Sequence, residues 1–343
     1  MSEHQKMDRR KFIRRSVILA GSAFMAAYSI PNAYALGTTK LGAKEVMRTA
    51  SSEASKVYMM KDITSANMIR LYEVLGRKAE GKTAVKLSTG EPGGHNFLQP
   101  DLIADLIKKV NGTIVECNTA YAGGRSDTES HMKAAKDHGF TAIANVDIMD
   151  AEGEVSLPVE GGSHLKENYV GSHCMNYDFM MVLSHFKGHP MGGFGGALKN
   201  ISIGVASAAG KVWIHTAGKS KNDLWNNLPS RQEDFLESMA EAAQSVMAHF
   251  SDKMVYINVM NRLSVDCDCL SNPEEPKMAD IGILASLDPV ALDKACVDQV
   301  YSSSDPGRVY LIERMESRKG IQTVVHAEAL GLGTQNYELI SLD

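Results

Sequence analysis

The chain has 343 residues, 44% of them hydrophobic, and a formal net charge of −5 at pH 7. This length is enough to bury a large core, in one domain or in two closely packed ones. An acidic protein gains nothing from a phosphate backbone, so the charge argues against a nucleic-acid partner. The five cysteines are too few and too irregularly spaced to form a disulfide scaffold.

The first 35 residues have the pattern of a signal peptide for the twin-arginine export route. Arg9 and Arg10 are followed by one variable position, two apolar residues and a base. The uncharged segment 16–30 that comes next is about 15 residues long, short of the ~20 that a membrane-spanning helix needs. Ala33 and Ala35 suit cleavage by a signal peptidase. A plain secretory signal or an uncleaved anchor is the alternative.

We therefore expect the twin-arginine translocase as a partner during export, and the periplasm or the extracytoplasmic face of the cell envelope as the destination. Residues 1–35 carry six basic and two acidic side chains, so their removal changes the net charge from −5 to −9. For the rest of the chain the sequence predicts a polar leader over residues 36–55 and no further membrane span. Because this route carries folded proteins, a cofactor can be inserted before export.

Strand-like and helix-like segments alternate over residues 56–343. This pattern predicts an α/β domain, or two intimate lobes, with a mostly parallel central sheet flanked by helices. Strands are predicted at residues 57–61, 83–88, 113–117, 141–146, 154–159, 179–183, 253–259, 281–285 and 337–342. Helices are predicted at residues 65–78, 101–110, 126–138, 233–250, 289–300 and 308–314. Pro100 marks the start of one helix, and Gly112 and Gly139 lie just beyond two helix ends.

Three loops that follow predicted strands are rich in glycine and in basic side chains. They span residues 88–96, 118–125 and 184–200, and their basic residues are His95, Arg125, Lys187, His189 and Lys199. In an open parallel sheet, ligands bind beyond the carboxyl ends of the strands. If the three strands are neighbours, these five side chains meet in one cleft.

The third loop has the composition of an anion-binding site. Its glycines expose backbone N–H groups, and the helix that follows directs its positive end at the same place. We predict that a small anionic ligand or cofactor is bound here by Gly193, Gly195, Gly196, Lys199, Asn200 and Arg125. Neither ATP nor NAD is indicated: no Gly-Lys-Ser/Thr follows, and the third glycine of a dinucleotide fingerprint would fall at Leu198. The alternative is a close-packed turn without a ligand.

The third loop also holds the candidate acid–base groups. His185, Lys187 and His189 alternate along the chain, so in extended backbone all three face one side. The two histidines can ligate a metal, or one of them can transfer protons with Lys187 as its electrostatic partner. We name these three residues and His95 as candidate catalytic residues, and His215 as a further candidate ligand.

Cys267 and Cys269 form a Cys-x-Cys pair that is flanked by carboxylates. Such a pair can share a soft metal or a cluster, or it can cycle as a redox dithiol. Flanking carboxylates disfavour thiolates unless a cation compensates, which favours a metal. We predict a metal site formed by Cys267, Cys269, Asp266 and His215. A labile disulfide and two buried cysteines at a strand end are the alternatives.

At residues 185–200 the sequence closely resembles the core motif of the uncharacterised family called domain of unknown function 362. The segments 86–91, 118–125, 210–215, 266–269 and 281–293 also fit that family's motifs, so the resemblance covers about residues 57 to 300. Many members carry an inserted ferredoxin-like segment with Cys-x-x-Cys repeats. The chain has no such cysteines near residues 211–233 and so resembles a short form, to which the iron–sulfur clusters do not carry over. A more distant likeness is to the lactate racemase family, which is also α/β with lysine and histidine in its cleft.

Together, these patterns predict a metal- or metallocofactor-dependent enzyme that acts on an anionic ligand, with an oxidoreductase favoured. A redox partner protein is among its expected partners. Two other functions remain open. One is an isomerase or lyase that transfers protons through lysine and histidine. The other is a binding or maturation protein that delivers a metal or cofactor to exported redox enzymes.

Overall fold

An eight-stranded sheet runs through the part of the chain that the computed structural model describes, residues 53–343. The predicted signal peptide and nearly all of the predicted leader lie outside these residues. Every helix within residues 53–343 is too short or too polar to cross a membrane.

The strands are β1 (Ser55–Met60), β2 (Thr83–Lys86), β3 (Gly112–Glu116), β4 (Val146–Ile148), β5 (Glu154–Pro158), β6 (Glu167–Gly171), β7 (Phe179–His185), β8 (Lys187–His189), β9 (Gly193–Gly195), β10 (Met254–Met260), β11 (Gly282–Ser286) and β12 (Tyr337–Ser341). The large sheet has the order β12-β1-β11-β10-β7-β2-β3-β4, and β5-β6 and β8-β9 are two-stranded ribbons. Within the large sheet only β11 is antiparallel to its neighbours. The prediction of a mostly parallel sheet is therefore confirmed.

The helices are α1 (Ser65–Val74), α2 (Pro100–Lys109), α3 (Thr128–Asp137), α4 (Phe140–Ile143), α5 (Ala197–Ser202), α6 (Ala208–His215), α7 (Gln232–Phe250), α8 (Pro289–Ser302), α9 (Arg308–Ser317) and α10 (Gln322–Ala329). They cover both faces of the sheet. Met181 and Leu183 of β7 pack with α1 and α2, whereas Met180 and Val182 pack on the other side with α5, α7 and α8. Because both faces are covered, the central strand is a continuous apolar run.

One predicted element is wrong. Residues 141–146 do not form a strand: the chain makes the short helix α4 and then the three-residue strand β4. Gly139, with φ of 87°, ends α3 in a left-handed conformation, and Phe140 then turns into the core, where it is fully buried. A short apolar segment of this kind cannot be assigned to strand or helix by periodicity alone.

The carboxyl ends of four adjacent parallel strands lie at one edge of the sheet. In sheet order these strands are β10, β7, β2 and β3. Three of the loops that leave them are the glycine-rich loops identified in the sequence. The fourth, which joins β10 to β11, contains the two cysteines of the Cys-x-Cys pair.

Candidate functional site

Two thiols and an imidazole converge at this edge of the sheet. His189 ends β8, and Cys267 and Cys269 lie in the loop after β10. One ligand atom of each residue lies within 4.8 Å of those of the other two. His189 and Cys267 are buried, and Cys269 is half-buried. The structure therefore contains a group of donors that can hold a metal ion.

A glycine lets the cysteine loop reach the histidine. The Gly188 N–H donates to the Ser264 carbonyl over 2.8 Å. A Cβ at position 188 would overlap the backbone of Val265. Only a glycine permits this approach, which places the following cysteines beside His189.

Cys267 and Cys269 are linked by hydrogen bonds and differ in acidity. The Cys267 sulfur accepts the Cys269 N–H over 3.3 Å. A hydrogen bond from the Cys269 thiol, together with the nearby Lys199 charge and a hydrogen bond from His189, holds the pKa of Cys267 well below its usual range, although burial opposes this. The same thiol hydrogen bond and burial raise the pKa of Cys269. Of the two thiols, Cys267 is therefore the more acidic.

His189 is a neutral ring that directs a proton at Cys267. Burial and the Lys199 charge lower the pKa of His189 to about 4. Its Nδ1 accepts the N–H groups of Met191 and Gly192 over 3.2 and 2.8 Å. A neutral imidazole with Nδ1 as acceptor carries its proton on Nε2. Ligation through Nε2 requires that proton to move to Nδ1, which then no longer accepts the N–H groups of Met191 and Gly192.

Two of the predicted catalytic residues are held by a carboxylate that the sequence analysis did not single out. Asp268, between the cysteines, accepts Lys187 Nζ over 2.5 Å and lies 2.9 Å from His185 Nδ1. All three side chains are buried. Although burial opposes both shifts, the pairing raises the pKa of Lys187 and holds that of Asp268 far below its usual range. Lys187 is therefore a paired ammonium and does not serve as a base.

Arg125 joins the loops through two buried ion pairs. Its guanidinium contacts Glu91 and Glu116, each over 3.2 Å, and it is buried. The Glu91 N–H in turn donates to the Asp268 carbonyl over 2.8 Å. Tyr121 also connects these loops to the cysteine loop, since its hydroxyl contacts Glu91 and the Cys269 carbonyl. The first two glycine-rich loops thus position the cysteine loop.

The N–H groups at the positive end of α5, which was predicted to attract a ligand, are hydrogen-bonded to a side chain of the protein itself. The N–H groups of Ala197 and Leu198 donate to Asp293 over 2.7 and 3.0 Å. A Cβ on Gly196 would overlap the Asp293 carboxylate. Asn200 donates to backbone carbonyls at the ends of β2 and β7. These contacts pack the start of α5 against α8 and against strands β2 and β7.

Lys199 differs from Lys187 of the same loop, because its ammonium is not paired with a carboxylate among the described residues. It is half-buried on α5, with its side chain and that of Lys187 flanking Gly195. Among the described residues, no hydrogen bond or ion pair to its ammonium is found, whereas its charge acts on His189 and on both cysteines.

Three other predicted residues, His95, Asp266 and His215, are not members of this donor group. His95 is exposed and lies 2.9 Å from Glu275. Asp266 is paired with Arg314 over 3.3 Å. His215 is buried and stacked on Phe235, and burial lowers its pKa to about 3. Of the predicted metal ligands, the structure brings together the two cysteines, and it adds His189.

A second set of candidate ligands was missed by the sequence analysis. His164, Asp234 and Glu237 each place a donor atom within 4.8 Å of the others, and His164 already pairs with Glu237 over 2.8 Å. The spacing of Asp234 and Glu237 puts both on one face of α7, but nothing in the sequence links that face to His164.

Comparison with known proteins identifies a family. A family model described as "Domain of unknown function (DUF362)" matches residues 83–298. No curated protein matches the chain. Similar solved structures include the lactate racemase apoprotein from Thermoanaerobacterium thermosaccharolyticum, at 15% identity, TM-score 0.36 and 60% of this chain. Another, from a structural genomics study of Thermotoga maritima, has 15% identity, TM-score 0.40 and 69% coverage. The chain spans 50% and 58% of their respective lengths.

Proposed function

The chain belongs to the DUF362 family, and from that premise we propose that it is a metal-dependent enzyme of the oxidoreductase class that acts on a small anionic ligand. The family description names no reaction, so the proposal rests on the site. The observation that carries it is the convergence of Cys267, Cys269 and His189 within 4.8 Å of one another.

The three donors suit a soft or borderline metal. Thiolate and imidazole together favour zinc, copper(I) or iron over magnesium or calcium. In a tetrahedral zinc site with Zn–S of about 2.3 Å, neighbouring sulfur atoms stand about 3.8 Å apart, so the observed group can close on an ion with small side-chain movements. Three protein ligands leave a position for a substrate, as catalytic sites do. The thiols fit directly, and His189 fits once its Nε2 proton is displaced.

Proton-transfer chemistry based on lysine has less support. An isomerase or lyase of that kind needs a lysine that can lose its proton at the operating pH. Lys187 is instead an ammonium paired with Asp268, with its pKa raised. This pairing favours the oxidoreductase over the isomerase or lyase.

A second candidate is a dithiol oxidoreductase without a metal. The observation that favours it is the contact between the two residues, in which the Cys267 sulfur accepts the Cys269 N–H over 3.3 Å. The hydrogen bond from the Cys269 thiol also lowers the pKa of Cys267, which favours it as the attacking sulfur. The Cys267 thiolate would attack a small disulfide, RSSR, and release RS⁻. The Cys269 sulfur, after losing its proton, would then attack the mixed disulfide and release the second RS⁻. The products are two thiols and a Cys267–Cys269 disulfide.

Elemental analysis decides between these functions. We expect the protein, purified without oxygen after native export, to contain about one metal ion per chain. Cys267→Ser and Cys269→Ser should abolish that content, and the matched control Cys296→Ser, a buried cysteine of α8, should keep it. Metal-free protein whose two thiols form a disulfide reversibly would identify the dithiol enzyme. Neither metal nor reversible disulfide would leave the isomerase or lyase and the maturation protein.

We also propose that this chemistry takes place outside the cytoplasm. The support is the twin-arginine pattern at residues 9–14 and the apolar segment after it. Export through the twin-arginine translocase would deliver the protein already folded, with its metal in place. A redox partner protein in the envelope would then exchange electrons with it.

A further inference from the structure

Three side chains of metal-ligating type meet where the β5–β6 loop packs on α7, and none of them belongs to the cysteine site. Asp234 and Glu237 lie three residues apart on α7, and His164 lies in the loop between β5 and β6. One donor atom of each lies within 4.8 Å of those of the other two, and all three residues are half-buried. His164 Nε2 lies 2.8 Å from a Glu237 carboxylate oxygen. The fold thus brings an imidazole to a pair of carboxylates that is distant from it in the chain.

The loop that carries His164 is fixed to α7 by a fourth side chain, Glu241. This buried carboxylate, one turn beyond Glu237, accepts the N–H groups of Ser163 and Leu165, both over 2.7 Å, and that of His164 over 3.0 Å. Its other contact is with the imidazole of His326, over 3.2 Å. Glu241 is therefore fully engaged, and its role is to position the histidine rather than to bind an ion.

The two carboxylates of the group differ in how they are held. Gln322 donates its side-chain N–H to one oxygen of Glu237 over 2.9 Å, while the other oxygen faces His164. Metal-ligating carboxylates and histidines are commonly oriented by such outer contacts. Asp234 is only loosely paired, with the exposed Arg231 over 3.7 Å, so its side chain is free to turn toward an ion.

The donor set suits a harder ion than the thiols do. One imidazole and two carboxylates bind zinc or manganese(II), and they lack the thiolate that selects copper(I). With zinc–ligand distances of about 2.0–2.2 Å, tetrahedral donor atoms stand about 3.4 Å apart, so a turn of the Asp234 side chain closes the group on an ion. The ion would replace the hydrogen bond between His164 and Glu237. Because this bond must be given up and all three ligands are partly exposed, metal is lost here during purification and returns when it is added.

We propose that His164, Asp234 and Glu237 form a second, exchangeable site for a divalent ion of the zinc or manganese type, which fixes the β5–β6 loop to α7. The proposal does not depend on the cysteine site or on the reaction proposed above. An ion that binds the folded chain and not the unfolded one stabilises the fold, so the added metal should raise the unfolding temperature.

Zinc binding is measured by calorimetry on Cys267→Ser/Cys269→Ser protein, made without a polyhistidine tag and treated with a chelator. This background removes the cysteine site, and we expect one zinc ion per chain to bind to it. Adding Glu237→Gln, which keeps a hydrogen-bonding group but removes the charge, should weaken zinc by at least about 10- to 100-fold, the loss typical of residues that only orient a ligand. Glu160→Gln, at an exposed glutamate of the same loop, is the matched control and should bind as before.

Manganese(II) gives a second measurement on protein that keeps its cysteines, since thiolates disfavour this ion. Electron paramagnetic resonance should show one bound manganese ion that added zinc displaces. If Glu237→Gln does not fold by circular dichroism, Asp234→Asn makes the same test at the loosely held ligand.

Two results would overturn the proposal. The first is that neither zinc binds the double cysteine variant nor manganese binds the wild type. The second is equally tight zinc binding with and without the Glu237 or Asp234 substitution, which would place the ion elsewhere. Neither result bears on the cysteine site, which is tested by its own variants.

Discussion

Asp268 stands between the two cysteines and gives Lys187 and His185 a role different from the predicted one. Its carboxylate fixes both basic groups in a buried cluster. The cluster anchors the segment that carries both thiols beside the hairpin of β8 and β9. At this position the charge pair holds the cysteine loop in place.

We predict that Asp268→Asn is strongly destabilising, because it leaves the Lys187 ammonium buried without its counter-charge. Breaking a buried pair in this way costs about 3–5 kcal/mol. The matched control is Asp266→Asn, two residues earlier, whose partly exposed pair with Arg314 is worth at most about 1 kcal/mol. Urea unfolding of the three proteins measures both changes. Equal losses in the two variants would contradict the assigned role of Asp268.

At the residue scale, the sequence predicted part of the donor group but not the ion pairs around it. Cys267 and Cys269 were predicted to share a metal with Asp266 and His215, whereas His189 was named separately as a catalytic residue or ligand. The partners of Lys187 and Arg125 could not be predicted, since Asp268 and Glu91 lie far from them in the chain. Ionic pairing across such separations depends on the order of the strands, which local patterns do not contain.

The short helix α5 illustrates the same limit at the element scale. Its glycine-rich start has the composition of an anion-binding loop, yet the anion is Asp293 of α8. Asn258 of β10 also donates to this carboxylate, over 2.8 Å. The Asp293 carboxylate therefore connects α5, the loop before it and strand β10 to α8.

We predict a pH-dependent contribution of this contact to stability. Burial raises the pKa of Asp293 to about 6, above the ~3.9 of an unfolded chain. Between about pH 4 and 6 the folded protein therefore binds more protons than the unfolded chain does. The contribution is present in full below about pH 4 and is lost as the pH rises through 6.

The measurement compares wild type with Asp293→Asn, which cannot titrate. The free energy of unfolding of the wild type minus that of Asp293→Asn, both measured in urea, should fall by up to about 3 kcal/mol from pH 4 to pH 7. All other titrating groups are common to both proteins, so they cancel in the difference. A constant difference across this range would show that Asp293 does not titrate there.

For the whole molecule, the alternation of strands and helices was sufficient to predict an α/β fold with a mostly parallel sheet. The convergence of three loops was predicted only on the condition that their strands are neighbours. The structure meets that condition and adds the cysteine loop after β10. The antiparallel position of β11 next to β10 could not be predicted, because a continuous apolar run does not indicate whether the strand is parallel or antiparallel to its neighbour.

Export of the whole molecule is testable without knowledge of its reaction. We predict that the double substitution Arg9→Lys, Arg10→Lys keeps the full chain in the cytoplasm, because the route is specified by the arginine pair. Cell fractionation and immunoblotting of both forms measure this. A matched control, Arg14→Lys and Arg15→Lys, keeps the pair and should be exported. Export of the double variant at the normal level would exclude the twin-arginine assignment.

The position of β1 in the sheet has a consequence for synthesis. Its two neighbours, β11 and β12, are formed by residues 282–286 and 337–341, so both of its edges stay open until nearly the whole domain has left the ribosome. Such late, long-range pairing is slow, and an open strand edge invites association with other chains. The proposed export signal emerges first, long before the domain can close. If that signal directs export by the twin-arginine route, a chaperone or a timing delay is needed to keep the translocase from engaging a nascent chain before it has folded.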